Sequence, residues 1–182
     1  MDYKITVQPT PNPNALKFVL NSVVKTTDSA VYKRGSQTGA NAIAAALLLV
    51  PNVVEIYFSG RFITVTQDGN ADTDVLEANV QAAIAANIET HNPDFDPEAA
   101  VKPVVLLDGD LARIEQILDS TIRPALQHDG GDLQVLSLEG KILKINYQGA
   151  CGCCPHAAMG TLSAIQNVLQ DQYDPEIVVE MG

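Results

Sequence analysis

The three cysteines of this chain lie within four consecutive residues, as Cys151, Cys153 and Cys154, and no other position carries a thiol. Cysteines that serve only as small apolar core residues are not expected to cluster in this way. Thiolates two or three residues apart are typical of soft-metal binding and of disulfide exchange. The spacing therefore predicts metal or redox chemistry in the stretch 149–155.

The spacing by itself leaves three chemistries open. An iron–sulfur cluster needs four thiolates, and Cys151 with Cys154 supplies two per chain, so a twofold symmetric dimer would complete the set. A structural zinc site would need the same dimer or ligands from elsewhere. A thiol–disulfide enzyme would use the same Cys-x-x-Cys pair, but that motif usually accompanies a strand–helix–strand crossover of a larger sheet. The iron–sulfur and zinc sites rank nearly level.

The residues after the cysteines are expected to begin a helix. Cys154 precedes Pro155, a favoured first residue of a helix, and the positive helix end would lower the pKa of a thiol there. His156 is a candidate for a further metal ligand. A lone histidine in a first helical turn is more often a solvated side chain, so it is not included in the predicted site.

A β-hairpin is expected to lead the chain to the cysteines. Its strands are predicted at 133–138 and 142–147. A three-residue connection, 139–141, pairs Leu138 with Ile142 and puts the apolar side chains of both strands on one face. A two-residue connection would oppose apolar residues to polar ones, so the three-residue connection is predicted.

This register also predicts a glycine-rich setting for the thiols. It places Gly131 opposite Gly149, so the turn 129–132, Asp-Gly-Gly-Asp, is expected beside the strand end that carries Cys151. Glycine at these positions would let the backbone approach a bulky ligand closely.

The first half of the chain predicts a small sheet with two helices. Strands are predicted at 4–8, 16–20, 53–58 and 62–67, and helices at 39–50 and 72–89. Asp72 or Asp74 is expected to cap the second helix. The inward-facing residues of that helix are predicted to be Val75, Ala78, Ala82 and Ala85.

The second half predicts a similar order of elements. An apolar stripe indicates a helix over 111–122 that Pro124 kinks or ends, and after the hairpin a second stripe, 158–169, precedes a strand at 176–180. The intervening stretch is rich in proline and turn residues. We therefore predict two small α+β domains, each a small sheet with a β-hairpin packed against helices. Their predicted bounds are 1–90 and 110–182, with a linker over 91–109.

Composition argues against two classes of partner. The net charge is -11 and no basic stripe is present, so no nucleic-acid partner is expected. The longest apolar run, 42–50, is far too short to span a bilayer, so no membrane partner is expected. The first residues carry no basic leader followed by an apolar core, and crowded thiols suit a reducing compartment, so a cytoplasmic location is expected.

Several segments together resemble one protein family. The turn 129–132, the hairpin after it and the stretch 149–155 resemble the C-terminal domain of NifU-like (Nfu) iron–sulfur proteins, and Ile-Arg-Pro-Ala-Leu at 122–126 fits the same domain. The segments 11–18 and 62–66 are similar to the Nfu N-terminal domain. The resemblance covers nearly the whole chain outside the linker.

The resemblance implies a scaffold or carrier and not an enzyme. Such a protein holds a labile 4Fe–4S cluster, shared by a homodimer, receives it from upstream cluster-assembly proteins and passes it to apo iron–sulfur client proteins. By position, Cys151 and Cys154 match the two ligands of the family, and no catalytic residue is expected. Cys153 is extra and is interpreted as a neutral substitution. The N-terminal domain carries no thiol, and we expect it to serve docking or partner selection.

Overall fold

The computed structural model describes residues 3–96, 109–151 and 155–182, and for 155–159 it describes the backbone alone. Its contacts divide the chain into two compact units, 1–100 and 101–182. Both units combine helices with a sheet, so the predicted α+β class is confirmed. Among the described residues, no helix combines the length and the apolar character needed to cross a bilayer.

The N-terminal unit is a five-stranded antiparallel sheet with two helices packed on one face. Its elements are β1 (Ile5–Pro9), β2 (Ala15–Leu20), β3 (Ser29–Lys33), α1 (Ala42–Leu48), β4 (Val53–Ser59), β5 (Phe62–Gln67), α2 (Thr73–Asn87) and a 3₁₀ turn (Ile88–Thr90). The strands pair in the order β1-β2-β5-β4-β3. Phe18, Ile56 and Phe58 from the sheet share one buried cluster with Leu47 and Ile84 from the helices.

The four strands predicted for this half are present within one residue of their expected bounds, whereas β3 was not predicted. The helix predicted at 39–50 is shorter at both ends. It begins after Asn41, whose side-chain oxygen accepts a hydrogen bond of 3.0 Å from the backbone N–H of Ala44. This cap stops the helix from extending toward residue 39.

The cap of α2 is Asp72, one of the two residues predicted for it, but the predicted inner face is wrong. A side-chain oxygen of Asp72 accepts from the backbone N–H groups of Asp74 and Val75, each at 3.1 Å. Val75 is 58% exposed, and the buried residues of the helix are Leu76, Val80 and Ile84. Alanine-rich helices carry more than one stripe at the right spacing, and the stripe with the larger apolar side chains is the one that is buried here.

Residues 91–96 pack against the N-terminal unit. The Nε2–H of His91 donates to the carbonyl oxygen of Val24 at 2.8 Å, and the His91 ring stacks on Phe58 with centroids 6.2 Å apart. Phe95 meets the same Phe58 ring edge-on at 5.4 Å. These residues fall within the predicted linker, and most of its remainder, 97–108, lies outside the described residues. The predicted domain bounds stay a prediction.

The C-terminal unit is a three-stranded sheet covered by helices. Its elements are α3 (Gly109–Thr121), α4 (Arg123–His128), β6 (Gly131–Glu139), β7 (Ile142–Gly149), α5 (Pro155–Gln172) and β8 (Val178–Met181). β6 pairs with β7 antiparallel, and β7 pairs with β8 in parallel. The interruption expected at Pro124 is confirmed, since one helix ends at Thr121 and the next carries Pro124 in its first turn.

The register of the β6–β7 hairpin agrees with the prediction next to the cysteines. Gly131 pairs with Gly149, and Leu133 pairs with Tyr147. Leu133 and Tyr147 therefore lie on the same face of the sheet, and both belong to the buried apolar cluster of this unit.

The tip of the hairpin differs from the prediction. Glu139 pairs with Ile142, so the connection has two residues, and the predicted pairing of Leu138 with Ile142 is wrong. Gly140 supplies the left-handed conformation of this turn, with φ of 64°. A bulge at Leu136 takes up one extra residue of β6 and brings the rest of the hairpin back to the predicted register.

We expect that replacing Phe95 with alanine will destabilise the N-terminal unit by about 2 kcal/mol. Phe95 contacts the rings of Tyr32 and Phe58 and lies under the ammonium group of Lys25. Truncating a half-buried aromatic residue costs less stability than truncating a fully buried one. Amide hydrogen exchange of β3 and β4 at increasing urea concentrations measures the free energy of unfolding of this unit specifically.

The matched control is Leu49→Ala. Leu49 is 83% exposed, and its truncation should change stability by less than about 0.5 kcal/mol. If Phe95→Ala costs no more than Leu49→Ala, residues 91–96 are not part of the folded unit.

Candidate functional site

Cys151 lies two residues after the end of β7, at a point where glycines bring two segments together. Gly149 and Gly130 both adopt the left-handed backbone conformation, with φ of 66° and 83°. The backbone N–H of Ala150 donates to the carbonyl oxygen of Gly130 at 3.2 Å. The glycine turn is therefore beside the strand end that carries Cys151, as the sequence predicted.

Gly131 is in contact with Cys151 itself. A Cβ atom at Gly131 would lie 2.6 Å from the sulfur of Cys151 and 2.8 Å from the carbonyl oxygen of Gln148. No side chain fits at these distances. Residue 131 must be glycine for the thiol to occupy this position, and the close approach fixes the thiol against the start of β6.

Cys151 is half-buried, and its side chain packs on the apolar cluster between the sheet and the helices. That cluster includes Leu133 and Tyr147 from the sheet and Ile165 from α5. The thiol thus lies at the border of the core, on the same face of the sheet as Tyr147.

Arg123 ties the turn before β6 to two helices. Its guanidinium forms ion pairs with Glu115 at 2.5 Å, Asp119 at 2.6 Å and Asp132 at 3.1 Å. It also donates to the carbonyl oxygen of Leu133 at 2.9 Å. Because Asp132 directly follows Gly131, these contacts hold the residue on which the Cys151 sulfur rests.

The charges in this cluster favour the ionised arginine. Burial by itself lowers the pKa of Arg123, but the carboxylates of Asp132, Glu115 and Asp119 outweigh that effect and hold the pKa above its ordinary value. Asp132 is 5% exposed and also accepts from the side-chain amide of Gln127 at 3.2 Å. The cluster is a charge-paired anchor in a largely buried setting.

Tyr147 is a second polar residue close to the thiol. It is 4% exposed, and within the described parts of the chain its hydroxyl is buried without a hydrogen-bond partner. Burial, and secondarily the negative charge of Cys151, raise the pKa of Tyr147 well above its usual range. The hydroxyl is therefore protonated at neutral pH and has a hydrogen to donate.

The second predicted ligand, Cys154, and the neighbouring candidates Cys153 and His156 cannot be placed from the described part of the structure. Cys154 and Cys153 lie outside the described residues, and the side chain of His156 is likewise outside them. Within the residues that are described, no three side chains of histidine, cysteine, aspartate or glutamate gather as a metal site. The assignment of Cys151 and Cys154 as ligands stays a prediction.

The sequence identified Cys151 and its glycine turn but missed what Arg123 and Tyr147 do. A signal for Arg123 was present, because Glu115, Asp119 and Arg123 follow one another at intervals of four residues, the spacing of one helical face. No sequence signal shows that the Tyr147 hydroxyl lacks a partner, since alternation of side chains only places its ring on the apolar face.

The arrangement suits a soft ligand that is held by sulfur. Cys151 presents a soft sulfur donor at the edge of a core, on backbone made compact by glycines. The contacts of Gly131 and Asp132 hold that thiol in one place.

We expect Gly131→Ala to displace the Cys151 segment and to destabilise the C-terminal unit by about 1–3 kcal/mol, because the new methyl group meets backbone that cannot move aside easily. Urea unfolding gives the stability, and mass spectrometry of alkylated Cys151 gives the change in thiol exposure. Gly160→Ala is the control. Nothing lies within 4 Å of a Cβ there, so alanine should be neutral or stabilise α5 by up to about 1 kcal/mol. Equal effects of the two variants would contradict the close contact.

We expect Arg123→Met to cost about 2–4 kcal/mol, because it leaves the buried Asp132 without its cation. The comparison variant is Lys141→Met in the same unit, which removes two ion pairs, with Asp174 and Glu176, from a side chain that is 51% exposed. That loss should stay within about 1 kcal/mol. Urea denaturation measures both, and a loss for Arg123→Met no larger than for Lys141→Met would show that the cluster does not anchor the turn.

Comparison with known proteins covers both units. Residues 5–91 match the family described as "Scaffold protein Nfu/NifU N terminal", and residues 114–180 match the family described as "NifU-like domain". NifU-like protein 4, mitochondrial, of Arabidopsis thaliana is 31% identical over 172 residues, which is 91% of this chain and 61% of that protein.

A protein of Drosophila persimilis named "NFU1 iron-sulfur cluster scaffold homolog, mitochondrial" is 30% identical over 177 residues, which is 95% of this chain and 62% of that protein. The chain therefore spans about three fifths of the length of the curated relatives it matches. Both relatives are named as mitochondrial proteins, and the cytoplasmic location expected for this chain stays a prediction. The two family matches, in the same order along nearly the whole chain, show that this chain belongs to the NifU-like (Nfu) family.

Proposed function

We propose that this protein is an iron–sulfur cluster scaffold or carrier. It holds a labile 4Fe–4S cluster between two copies of the chain and transfers it to apo-proteins. The observation that carries the proposal is the thiol of Cys151 at the glycine-lined end of β7, in a domain of the NifU-like family. The relative from Drosophila persimilis is named as an iron–sulfur cluster scaffold homolog, which supports the same role.

The number of thiols supports sharing between two chains. In this proposal Cys151 and Cys154 each provide one thiolate, and a cluster takes four. A twofold axis beside the cysteines would bring the second pair from an identical chain. Ligands from two chains separate when the dimer opens, which suits a protein that must release what it holds.

The residues around Cys151 would prepare the protein for binding. Gly130, Gly131 and Gly149 supply the compact backbone beside the thiol, and the Cys151 sulfur itself occupies the space that a side chain at residue 131 would need. Arg123 and Asp132 hold this backbone before binding, and the chain then loses little conformational freedom when the dimer forms. Transfer would proceed by exchange of these thiolates for cysteines of a client protein.

The N-terminal unit is assigned to docking or partner selection. It carries no cysteine, so it cannot supply thiolates to a cluster. Its partners in this proposal are apo iron–sulfur clients and the upstream proteins that assemble the cluster. No catalytic residue is assigned to either unit, and the protein acts as a binding protein and not as an enzyme.

We expect anaerobic reconstitution with iron and sulfide to give about four irons and four sulfides per dimer, with visible absorption and a shift from monomer to dimer. Cys151→Ser and Cys154→Ser should each abolish the cluster, because each variant removes two of the four thiolates of the dimer. Cys153→Ser is the matched control and should leave metal content unchanged.

Each alternative chemistry has its own outcome in this experiment. Zinc retained after reconstitution would favour a structural zinc module. A preparation that stays colourless and monomeric but reduces protein disulfides would identify a dithiol oxidoreductase instead. Loss of the cluster in Cys153→Ser would show that the ligand assignment is wrong.

A further inference from the structure

The hydroxyl group of Tyr147 is a polar group buried in an apolar environment. Tyr147 is 4% exposed, and its ring lies in an apolar cluster with residues such as Leu133, Ile145 and Ile165. In the described parts of the chain the hydroxyl has no hydrogen-bond partner. A buried polar group left without a partner destabilises a fold, and phenylalanine would fill the same space without that cost.

The geometry of the hairpin places this hydroxyl on the same side of the sheet as the thiol. Tyr147 pairs directly with Leu133, so their side chains share one face. Gly131 precedes Leu133 by two residues and therefore presents its Cβ position to that face. The sulfur of Cys151 lies 2.6 Å from that position, and Cys151 packs against the same apolar cluster as Tyr147.

We propose that Tyr147 donates a hydrogen bond to the sulfur of Cys151 when that sulfur is a thiolate, and so acts as a donor that tunes the cluster ligand. A thiolate accepts hydrogen bonds more strongly than a thiol does, because the acceptor is charged. Donation to the thiolate gives the Tyr147 hydroxyl an acceptor in the form of Cys151 that binds metal. The part of this proposal that concerns the cluster rests on the proposed function, whereas the part that concerns the thiolate does not.

Arg123 and three carboxylates form one charged cluster beside the start of β6. Arg123 pairs with Glu115 and Asp119, which project from α3, and with Asp132, which follows the glycine turn. Replacing the tyrosine hydroxyl with hydrogen leaves these pairs intact. A change in the behaviour of Cys151 in Tyr147→Phe therefore reports on the hydroxyl.

The first arm of the test uses the apo protein. In full-length chains that carry Cys153→Ser and Cys154→Ser, Cys151 is the only thiol, and its rate of alkylation by iodoacetamide at pH 7 is measured with and without Tyr147→Phe. Loss of one hydrogen bond to a thiolate lowers the thiolate fraction by about tenfold, and the higher intrinsic nucleophilicity of the remaining thiolate offsets part of this. We expect alkylation to be about threefold slower in Tyr147→Phe.

The second arm measures the stability of the apo protein in the same two chains. Removing a hydroxyl that has no partner should leave the urea midpoint unchanged or raise it. A lower midpoint in Tyr147→Phe would show that the hydroxyl already has a structural partner in the apo protein, and this result would overturn the proposal.

The third arm uses the reconstituted protein with all three cysteines. Hydrogen bonds to cluster sulfur raise the reduction potential, so Tyr147→Phe should shift it to a more negative value. If alkylation and potential both equal those of the unsubstituted protein, the proposal is wrong. If no cluster assembles in the unsubstituted protein, the proposed function fails, and the alkylation arm still decides the role of Tyr147.

The matched control is Tyr173→Phe. Tyr173 follows the C-terminal end of α5 and lies against Arg113, whereas Cys151 precedes the other end of that helix. An 18-residue helix separates the two positions by about 27 Å. Tyr173→Phe should change neither the alkylation rate nor the potential, and an equal change in both variants would overturn the proposal.

Discussion

The close approach of Gly131 to the sulfur of Cys151 is the contact on which the position of the thiol depends. The two residues are brought together by the pairing of Gly131 with Gly149, and that pairing does not follow from the hairpin turn alone. The turn has two residues, and if its register continued unchanged, every pair down the ladder would be displaced by one. The bulge at Leu136 absorbs the displacement, so an irregularity in mid-strand determines which backbone atoms meet the thiol.

The contacts of Arg123 help to hold Gly131 in the position that this close approach requires. A turn of consecutive glycines has many accessible conformations in the unfolded chain, and ordering it costs more entropy than ordering other residues. Arg123 contacts Asp132 and the carbonyl oxygen of Leu133, the two residues directly after the paired glycines, and connects them to α3 through Glu115. A buried ion pair is weak evidence for stability by itself, because desolvation offsets much of the attraction. Its clearer consequence here is geometric, since it fixes the residue next to Gly131.

The sequence predicted those features that one-dimensional patterns determine. Alternation of apolar residues predicted four of the five strands of the N-terminal sheet and the register of Gly131 with Gly149, and the side-chain chemistry of Asp72 predicted a helix cap. Features that depend on competition in three dimensions were missed. The stripe containing Val75 has the same period as the buried stripe of α2, so spacing alone does not distinguish them, and the stripe with the larger apolar side chains is the buried one. The two-residue turn at Gly140 was missed because a bulge elsewhere in the strand compensates for it.

Sharing one cluster between two identical chains would double the effect of each group that contacts it. If two chains share one cluster, every group that contacts it is present twice, so a donor such as Tyr147 acts on two sulfurs. Within the described residues of one chain, the same hydroxyl is a single buried group without a hydrogen-bond partner. If Tyr147 donates to the Cys151 thiolate as proposed, binding a cluster, which fixes that sulfur as a thiolate, provides the hydroxyl with a lasting acceptor and so links cluster binding to the stability of the fold. Loss of the cluster would leave both hydroxyls without this acceptor. The free-energy cost of these unpaired hydroxyls would make the apo state less favourable relative to the loaded one.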